Sequence, residues 1–324
     1  MYKRQQPAGT RALIGIDIGG TKTLGVARSD TGEVLGKTFE PTREGLDIAS
    51  HAVEMYYALR DNVSESGISV SSLGIGIAGL VDVSGRLHRA PNLVNADGLE
   101  IWQLVESEID VPVHVDNDVN CAALAEIDSG AATGVQNALL VTLGTGIGGA
   151  LIVDGAVHRG AFGMAGEPGH MVIEPNGLLC ACGMNGCWEA YASATGLRNL
   201  AIRRAKDGHL EEISEAIQGD FEAITSEDVT QAARQGDKQS LAVVDEFARW
   251  VAVGLANCAA LLDPEMIIVG GGLVAEWHLF GQKIDDSFHE LLLASGQRSF
   301  IPIKPTENGQ VAGALGACLL GRTQ

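Results

Sequence analysis

The chain has 324 residues, 46% of them hydrophobic and 19% charged, and a formal charge of −19. That apolar share supports large packed cores, and at about 100–200 residues per domain the length predicts two or three domains. The acidic balance excludes a chain held to nucleic acid or an anionic membrane by a basic face, and no apolar run approaches the ~18 residues of a membrane span.

Glycine stands out, at 42 residues, against a usual share of about 7%. There is no collagen period, so glycine on this scale implies tight turns and close approach of backbone to a ligand. An acidic chain can still bind phosphate, because backbone N–H groups do so locally. Residues 1–10 read as a loose tail without the apolar run of a signal peptide, and the cytoplasm is the expected compartment.

Residues 12–18 form an apolar strand, followed by the turn Gly19-Gly20-Thr21-Lys22 and a second strand at 23–28. Asp30-Thr31-Gly32 turns into a third strand near 33–39, which makes a β-meander. Residues 45–64 carry helical spacing, with Leu46, Ala49, Val53, Tyr56, Tyr57 and Leu59 on one side. Residues 72–79 and 111–115 read as buried strands, and Asn117 to Ile127 as a helix. At 138–153 the opening pattern recurs: ALLVTLGTGIGGALIV repeats the form of LIGIDIGGTKTLGVA. Setting Asp17 beside Thr142 puts Gly19 beside Gly144, which predicts two related lobes. Residues 196–262 are helical in character and end at Asp263-Pro264. Residues 265–272 are a strand running into three glycines. Residues 309–320 are a small-residue helix, expected to pack back onto the first lobe. No proline- or serine-rich linker is present, so a hinge is expected near 117–137.

Four constellations carry chemistry. The first is Asp17-Ile18-Gly19-Gly20-Thr21-Lys22. A glycine turn after a buried strand can offer successive N–H groups to phosphate oxygens, Thr21 and Lys22 add donors, and Asp17 can hold a hydrated Mg²⁺. A plain hairpin turn is the alternative, and the spacing fits neither a Walker A loop nor a Rossmann fingerprint. Its echo at Gly144-Thr145-Gly146 favours phosphate. The second is Asn117-Asp118, at the end of a strand and the start of a helix. A carboxylate there can accept a substrate proton, but from the pair alone a simple helix cap is the commoner explanation.

The third is His170, Cys180, Cys182 and Cys187, spaced H-x9-C-x-C-x4-C. One imidazole and three thiolates make a closed tetrahedral zinc set, hence a structural ion; three buried thiols beside an unrelated histidine are the alternative. Cys121, Cys258 and Cys318 lie in alanine-rich helices and read as core residues. The fourth is a scatter of polar groups beside glycine or proline, namely Asn92, Glu167 and Glu189. They suit a hydroxyl-rich ligand, but spacing alone does not bring them together.

Together the segments DIGGTK (17–22), GIGIAGLVD (74–82), APNL (90–93), NDVNCAALAE (117–126), LGTGIGGALI (143–152), GEPGH (166–170), CACGMNGCWEAYAS (180–193) and IIVGGG (267–272) resemble the ROK family of sugar kinases and related repressors. The resemblance spans about Leu13 to Leu320 and is nearest to bacterial ROK glucokinases. It implies an α/β, actin-like ATPase (ribonuclease H-like) fold in two lobes with a cleft between them. The division that goes with it is a small lobe of 1–117 plus 306–324 and a large lobe of 118–305 carrying the zinc loop. It implies transfer of the γ-phosphoryl of ATP to a sugar hydroxyl, usually the 6-hydroxyl, with Asp118 as general base. Sugar contacts implied by matching positions are Gly79, Asn92, Asn117, Asp118, Glu167, His170 and Glu189. ATP and Mg²⁺ would be held by Asp17, Gly19, Gly20, Thr21 and Lys22 and by Gly144, Thr145 and Gly146, with Gly270, Gly271 and Gly272 near the nucleotide. His170 would place one ring nitrogen on zinc and the other on the sugar.

Two positions depart from the family pattern: Pro168 replaces a bulkier apolar residue, and Val119 stands where alanine is commoner. The WEAYAS segment favours glucose over N-acetylglucosamine, N-acetylmannosamine or fructose. ROK repressors carry a DNA-binding region before the kinase-like body; the dozen residues before the first strand and the charge of −19 favour an enzyme. A sugar-binding module without catalysis is disfavoured by the presence of Asp17, Asp118 and both glycine turns. A homodimer or homotetramer is expected, with no nucleic-acid or membrane partner.

Overall fold

The computed structural model describes residues 11–322; the expected N-terminal tail lies outside them. The described chain divides into two compact units. The first comprises residues 11–134, 155–165 and 307–322, and the second comprises Val135–Asp154 and Gly166–Thr306.

The first unit opens with the expected meander, β1 (Arg11–Ile18), β2 (Lys22–Ser29) and β3 (Val34–Pro41). The helix α1 (Asp47–Ser64) follows, then β4 (Ser69–Ile77), a short ribbon of β5 (Leu80–Val81) and β6 (Leu87–Arg89), α2 (Ile101–Glu106), β7 (Val113–Asn117) and α3 (Asp118–Ser129). The sheet order is β3-β2-β1-β4-β7, with β1 antiparallel to β2 and parallel to β4, and β4 parallel to β7.

The two-residue period of β1 sorts its side chains onto two faces. Ile14, Ile16 and Ile18 join Leu73, Ile75 and Ile77 of β4 in a core with Met55, Tyr56 and Leu59 of α1. Leu13, Gly15 and Asp17 take the other face.

In the second unit, β8 (Ala138–Leu143) and β9 (Ile147–Val153) form an antiparallel hairpin. A short strand β10 (Ala156–His158) lies in the segment that rejoins the first unit. Helix α4 (Glu189–Ala192) precedes the expected helical stretch, and α5 (Ala194–Lys206), α6 (Glu211–Ala216), α7 (Ser226–Arg234) and α8 (Lys238–Leu262) fill it. Thr225 and Asp228 close a reciprocal capping box on α7, and α8 ends on Asp263 at φ 44°, one residue before the proline. Then come β11 (Met266–Gly270), α9 (Trp277–Leu291) and β12 (Ile303–Pro305).

β11 runs parallel to both β8 and β12. A hairpin beside parallel strands is therefore built in both units, which is the structural content of the internal repeat. The core of the second unit gathers Leu139, Val141, Trp188, Phe247, Val251, Phe280 and Phe288. Gly254 of α8 lets the Trp188 ring lie on its backbone, since a Cβ there would stand 1.9 Å from the ring. The Trp188 indole N–H donates to Trp250 O at 2.8 Å.

The C-terminal helix α10 (Ala312–Ala317) returns to the first unit, as expected. It packs backbone against backbone. A Cβ at Gly15 of β1 would stand 2.0 Å from Ala314 O, one at Gly74 of β4 1.8 Å from Ala317 O, and one at Gly316 of α10 1.6 Å from Cys121 O in α3. This contact decides where the chain divides. The second lobe was expected to open at 118, but α3 stays in the first unit, bound along its length to α10. The chain leaves that unit only after Gly134. Among the described residues no helix is long and apolar enough to cross a membrane.

Candidate functional site

In the first unit, Asp17 stands near the end of β1 and Asp118 follows β7 as the first residue of α3, with β4 between the two strands. The helix-cap question at 117–118 is settled by division of labour. Asn117 is the N-cap of α3 and accepts from Val119 N at 2.8 Å and Asn120 N at 3.1 Å. Its side-chain amide donates to Gly79 O at 3.1 Å. Asp118 is the first helical residue and accepts from Val119 N at 3.0 Å. It is half-buried, and burial, with the nearby charge of Asp116 adding to it, pushes its carboxyl up to about 6 against the hydrogen bonds of Val119 and Asn117. At neutral pH it is mostly ionised and able to accept a proton.

Asp17 faces the start of α10, where a Cβ at Gly313 would stand 2.4 Å from its Oδ2. Burial, then the charge of Asp118, push Asp17 up to about 8, with Lys22 opposing. A carboxylate so placed is stabilised by a cation.

The Gly19–Lys22 turn is pinned from three sides. Gly19 N donates to Lys22 O at 3.0 Å, and Thr42 donates its hydroxyl to Gly19 O at 2.7 Å. A Cβ at Gly20 would lie 2.9 Å from Asn92 O. Asn92 is thereby brought against the turn, and its loop is fixed by Asp97, which accepts from Ala90 N at 2.7 Å.

In the second unit the equivalent turn follows β8. Gly144 N donates to Gly146 O at 3.0 Å, and Gly144 O accepts from Ala194 N at 2.8 Å. Thr145 O accepts the Thr195 hydroxyl at 2.8 Å. Glu189, at the start of α4, closes this turn: its Oε2 accepts from Ile147 N at 2.9 Å. A Cβ at Gly146 would stand 2.3 Å from that oxygen. Gly271, at φ 86°, backs onto Leu143, where a Cβ would lie 2.4 Å from the carbonyl oxygen. The triple glycine thus lies against the end of β8, beside the same turn.

Glu167 precedes a single 3-10 turn, Pro168–His170, and its carbonyl accepts from His170 N at 3.2 Å. Pro168 fits the first position of such a turn, where no N–H is needed. Its ring is buried on Gly149, where a Cβ would stand 2.6 Å from it.

His170, Cys180, Cys182 and Cys187 offer ligand atoms that all lie within 4.8 Å of one another. His170 Nδ1 is 3.9 Å from Cys180 Sγ, and Cys182 Sγ is 3.6 Å from Cys187 Sγ. Tetrahedral zinc with bonds of about 2.0–2.3 Å needs ligand atoms at such separations. The set therefore fits a closed zinc centre rather than three unrelated thiols. Burial raises the Cys180 and Cys187 thiols, so a metal binding here must displace protons. Cys180 also donates its S–H to Glu189 Oε1 at 3.3 Å, which joins the thiol cluster to the Gly144–Gly146 turn through one side chain. Cys121, Cys258 and Cys318 are buried core residues, as expected.

The structure adds two residues that spacing did not flag. Asp116 and Arg159 form a short ion pair behind Asp118, with Arg159 Nε 2.7 Å from Asp116 Oδ2. They are 43 residues apart, and neither lies in a recognisable motif, so only the fold joins them.

The ROK family signature matches residues 13–324. The glucokinase of Streptomyces coelicolor is 35% identical over 316 residues, covering 95% of this chain and 97% of the relative. That of Halalkalibacterium halodurans is 36% identical over 271 residues, or 81% of each chain. The crystal structure of a ROK family glucokinase from Streptomyces griseus, in complex with glucose and AMPPNP, superposes with a TM-score of 0.82 at 36% identity and covers 97% of this chain and 100% of that one. The two α/β units are those of the actin-like ATPase fold. With a family match over nearly its whole length and these relatives, the chain belongs to the ROK family.

Proposed function

We propose that this protein is an ATP-dependent sugar kinase that phosphorylates the 6-hydroxyl of glucose. The observation that carries the reading is Asp118, a half-buried carboxylate at the first position of α3. The neighbouring Asn117 relieves it of capping the helix. The likeness to two glucokinases and to a glucokinase crystallised with glucose and a nucleotide supports the substrates.

In this mechanism Asp118 accepts the proton of the sugar hydroxyl as its oxygen attacks the γ-phosphorus. The bond from that phosphorus to the β-γ bridging oxygen breaks, and ADP leaves. Backbone N–H groups of the Gly19–Lys22 and Gly144–Gly146 turns bind phosphate oxygens, and Gly270, Gly271 and Gly272 lie beside the nucleotide. Gly79, Asn92, Asn117, Glu167, His170 and Glu189 bind sugar hydroxyls. Asp17 would hold magnesium, which would neutralise phosphate charge. His170, Cys180, Cys182 and Cys187 would hold zinc, which would fix the orientation of the His170 ring toward the sugar.

An ADP-release assay across a sugar panel, with ATP and polyphosphate as donors, tests the reading. Glucose with ATP is expected to be the preferred pair, and comparable turnover on an N-acetylated hexosamine or on fructose overturns the glucose assignment. Asp118→Ala is expected to lower kcat by about 10²–10⁴-fold with sugar binding largely retained; near-normal turnover removes the base.

A further inference from the structure

Behind Asp118 lies a charge network that the proposed mechanism does not use. Asp116 is buried, 6% exposed, in the last turn of strand before the helix. Both of its oxygens are engaged. Oδ1 accepts from Asn117 N at 2.7 Å and from the Asn120 side-chain amide at 2.9 Å. Oδ2 accepts from Arg159 Nε at 2.7 Å, and Arg159 also donates to Val157 O at 3.2 Å.

The carboxylate thus grips the residue before Asp118 and the residue two after it. Asn120 is itself 1% exposed and its Oδ1 has no hydrogen-bond partner, so the bond from its amide to Asp116 is what anchors this buried side chain. A buried carboxylate is costly unless a cation balances it. Arg159 supplies that cation, from the segment 155–165 that leaves the second unit and returns to it.

Resting on the kinase reading, we propose that Asp116 is a positioning residue for the base and Arg159 its required counter-charge. Asp116 locks Asn117 and Asn120 so that the α3 N-terminus presents Asp118 in one orientation. The Arg159 guanidinium cancels the negative charge that this lock would otherwise place beside the base.

Around Asp118 stand Asp116 of β7, Asp17 of β1 with Lys22 beside it at the start of β2, and the Cys121 thiol of α3, which burial keeps protonated; Arg159 from the 155–165 segment reaches the group through Asp116. Of these, Asp116 and Arg159 can be changed singly with near-isosteric residues, Asp116→Asn and Arg159→Gln, each of which keeps a hydrogen-bonding group. Arg159→Lys retains the charge.

The experiment measures the titration midpoint of the Asp118 carboxyl by ¹³C NMR on the aspartate-labelled full chain, assigned with Asp118→Asn, alongside kcat and KM for glucose and ATP. Removing one charge at several ångströms and an effective dielectric near 20 moves a midpoint by on the order of one pH unit. Asp116→Asn is expected to lower the midpoint, Arg159→Gln to raise it, and Arg159→Lys to leave it near wild type. In both neutral variants kcat is expected to fall at least tenfold, with KM for ATP little changed.

A merely structural pair would shift both neutral variants the same way, or neither; either result overturns the proposal, as does unchanged kcat. Should the wild-type chain phosphorylate no sugar, the kinase reading fails, and the NMR midpoints still decide whether the pair controls the Asp118 carboxyl.

Discussion

Replacing Gly316 by alanine tests whether the backbone packing of α10 positions the base. The added Cβ would stand 1.6 Å from the carbonyl oxygen of Cys121, in the helix whose first residue is Asp118. Carbon–oxygen contacts settle at about 3.3 Å, so the two helices must part by about 1.7 Å. The obstacle is backbone, with no side chain to rotate aside, and α10 is pressed on its other face against β1 and β4 at Gly15 and Gly74. Overpacking of this kind costs typically 1–3 kcal/mol, and the absence of slack on either side puts Gly316→Ala near the top, at about 3 kcal/mol. For a unit of this size that lowers Tm by about 6–12 °C. If α3 yields instead, Asp118 moves with it, and a misplacement of about 1 Å costs on the order of 10²-fold in rate. Calorimetry and steady-state kinetics read both quantities. Gly296→Ala is the control, because its Cβ would meet nothing within 4 Å. A Gly316→Ala protein with the Tm and kcat of Gly296→Ala would refute the packing argument.

Two further outcomes are expected. Because the carboxyl of Asp118 is raised to about 6, its proton is bound as pH falls through that value and the base is lost. Turnover at saturating substrates should therefore drop about tenfold between pH 7 and pH 5, whereas a carboxylate near its usual ~3.9 would hold its rate over that range; a flat profile measured by direct ADP quantitation contradicts the assignment. Purified protein should carry about one zinc per chain by elemental analysis, as a closed four-ligand set implies. Cys182→Ser should lose the metal and lower Tm; active protein free of zinc would remove the metal from the scheme.

Much of the site was legible in the sequence because its chemistry is local. The cap at Asn117 and the ligand set of His170, Cys180, Cys182 and Cys187 depend on neighbours within about twenty residues, and the turns at Gly19–Lys22 and Gly144–Gly146 are marked by their own glycines, although Thr42, Asn92, Glu189 and Thr195 pin them from farther along the chain. The internal repeat was legible for the same reason: a strand, glycine turn and strand is a local pattern, and the structure builds the same hairpin beside parallel strands in both units. The glycine excess was visible too, but its meaning was only partly readable. Gly146 does lie in the turn after β8, and Gly271 lies against the end of β8. Gly74 and Gly76 of the GIGIAG strand look equally like ligand-facing positions, yet they face α10 and α3, with a Cβ at Gly76 standing 3.1 Å from Cys121 Sγ.

What the tertiary structure alone decided is every relation between distant segments. The return of α10 onto β1 and β4 keeps α3 in the first unit and moves the division of the chain from 118 to beyond Gly134. Asp116 meets Arg159, and Glu189 links Cys180 to Ile147. The physical reason is common to all three: periodicity and turn chemistry report how a segment folds on itself, whereas an ion pair or a backbone-to-backbone contact forms only where packing of the cores brings two segments together. By itself the sequence determined which residues could do the chemistry; the packing determined which of them are held, by what partners, and with what charge beside them.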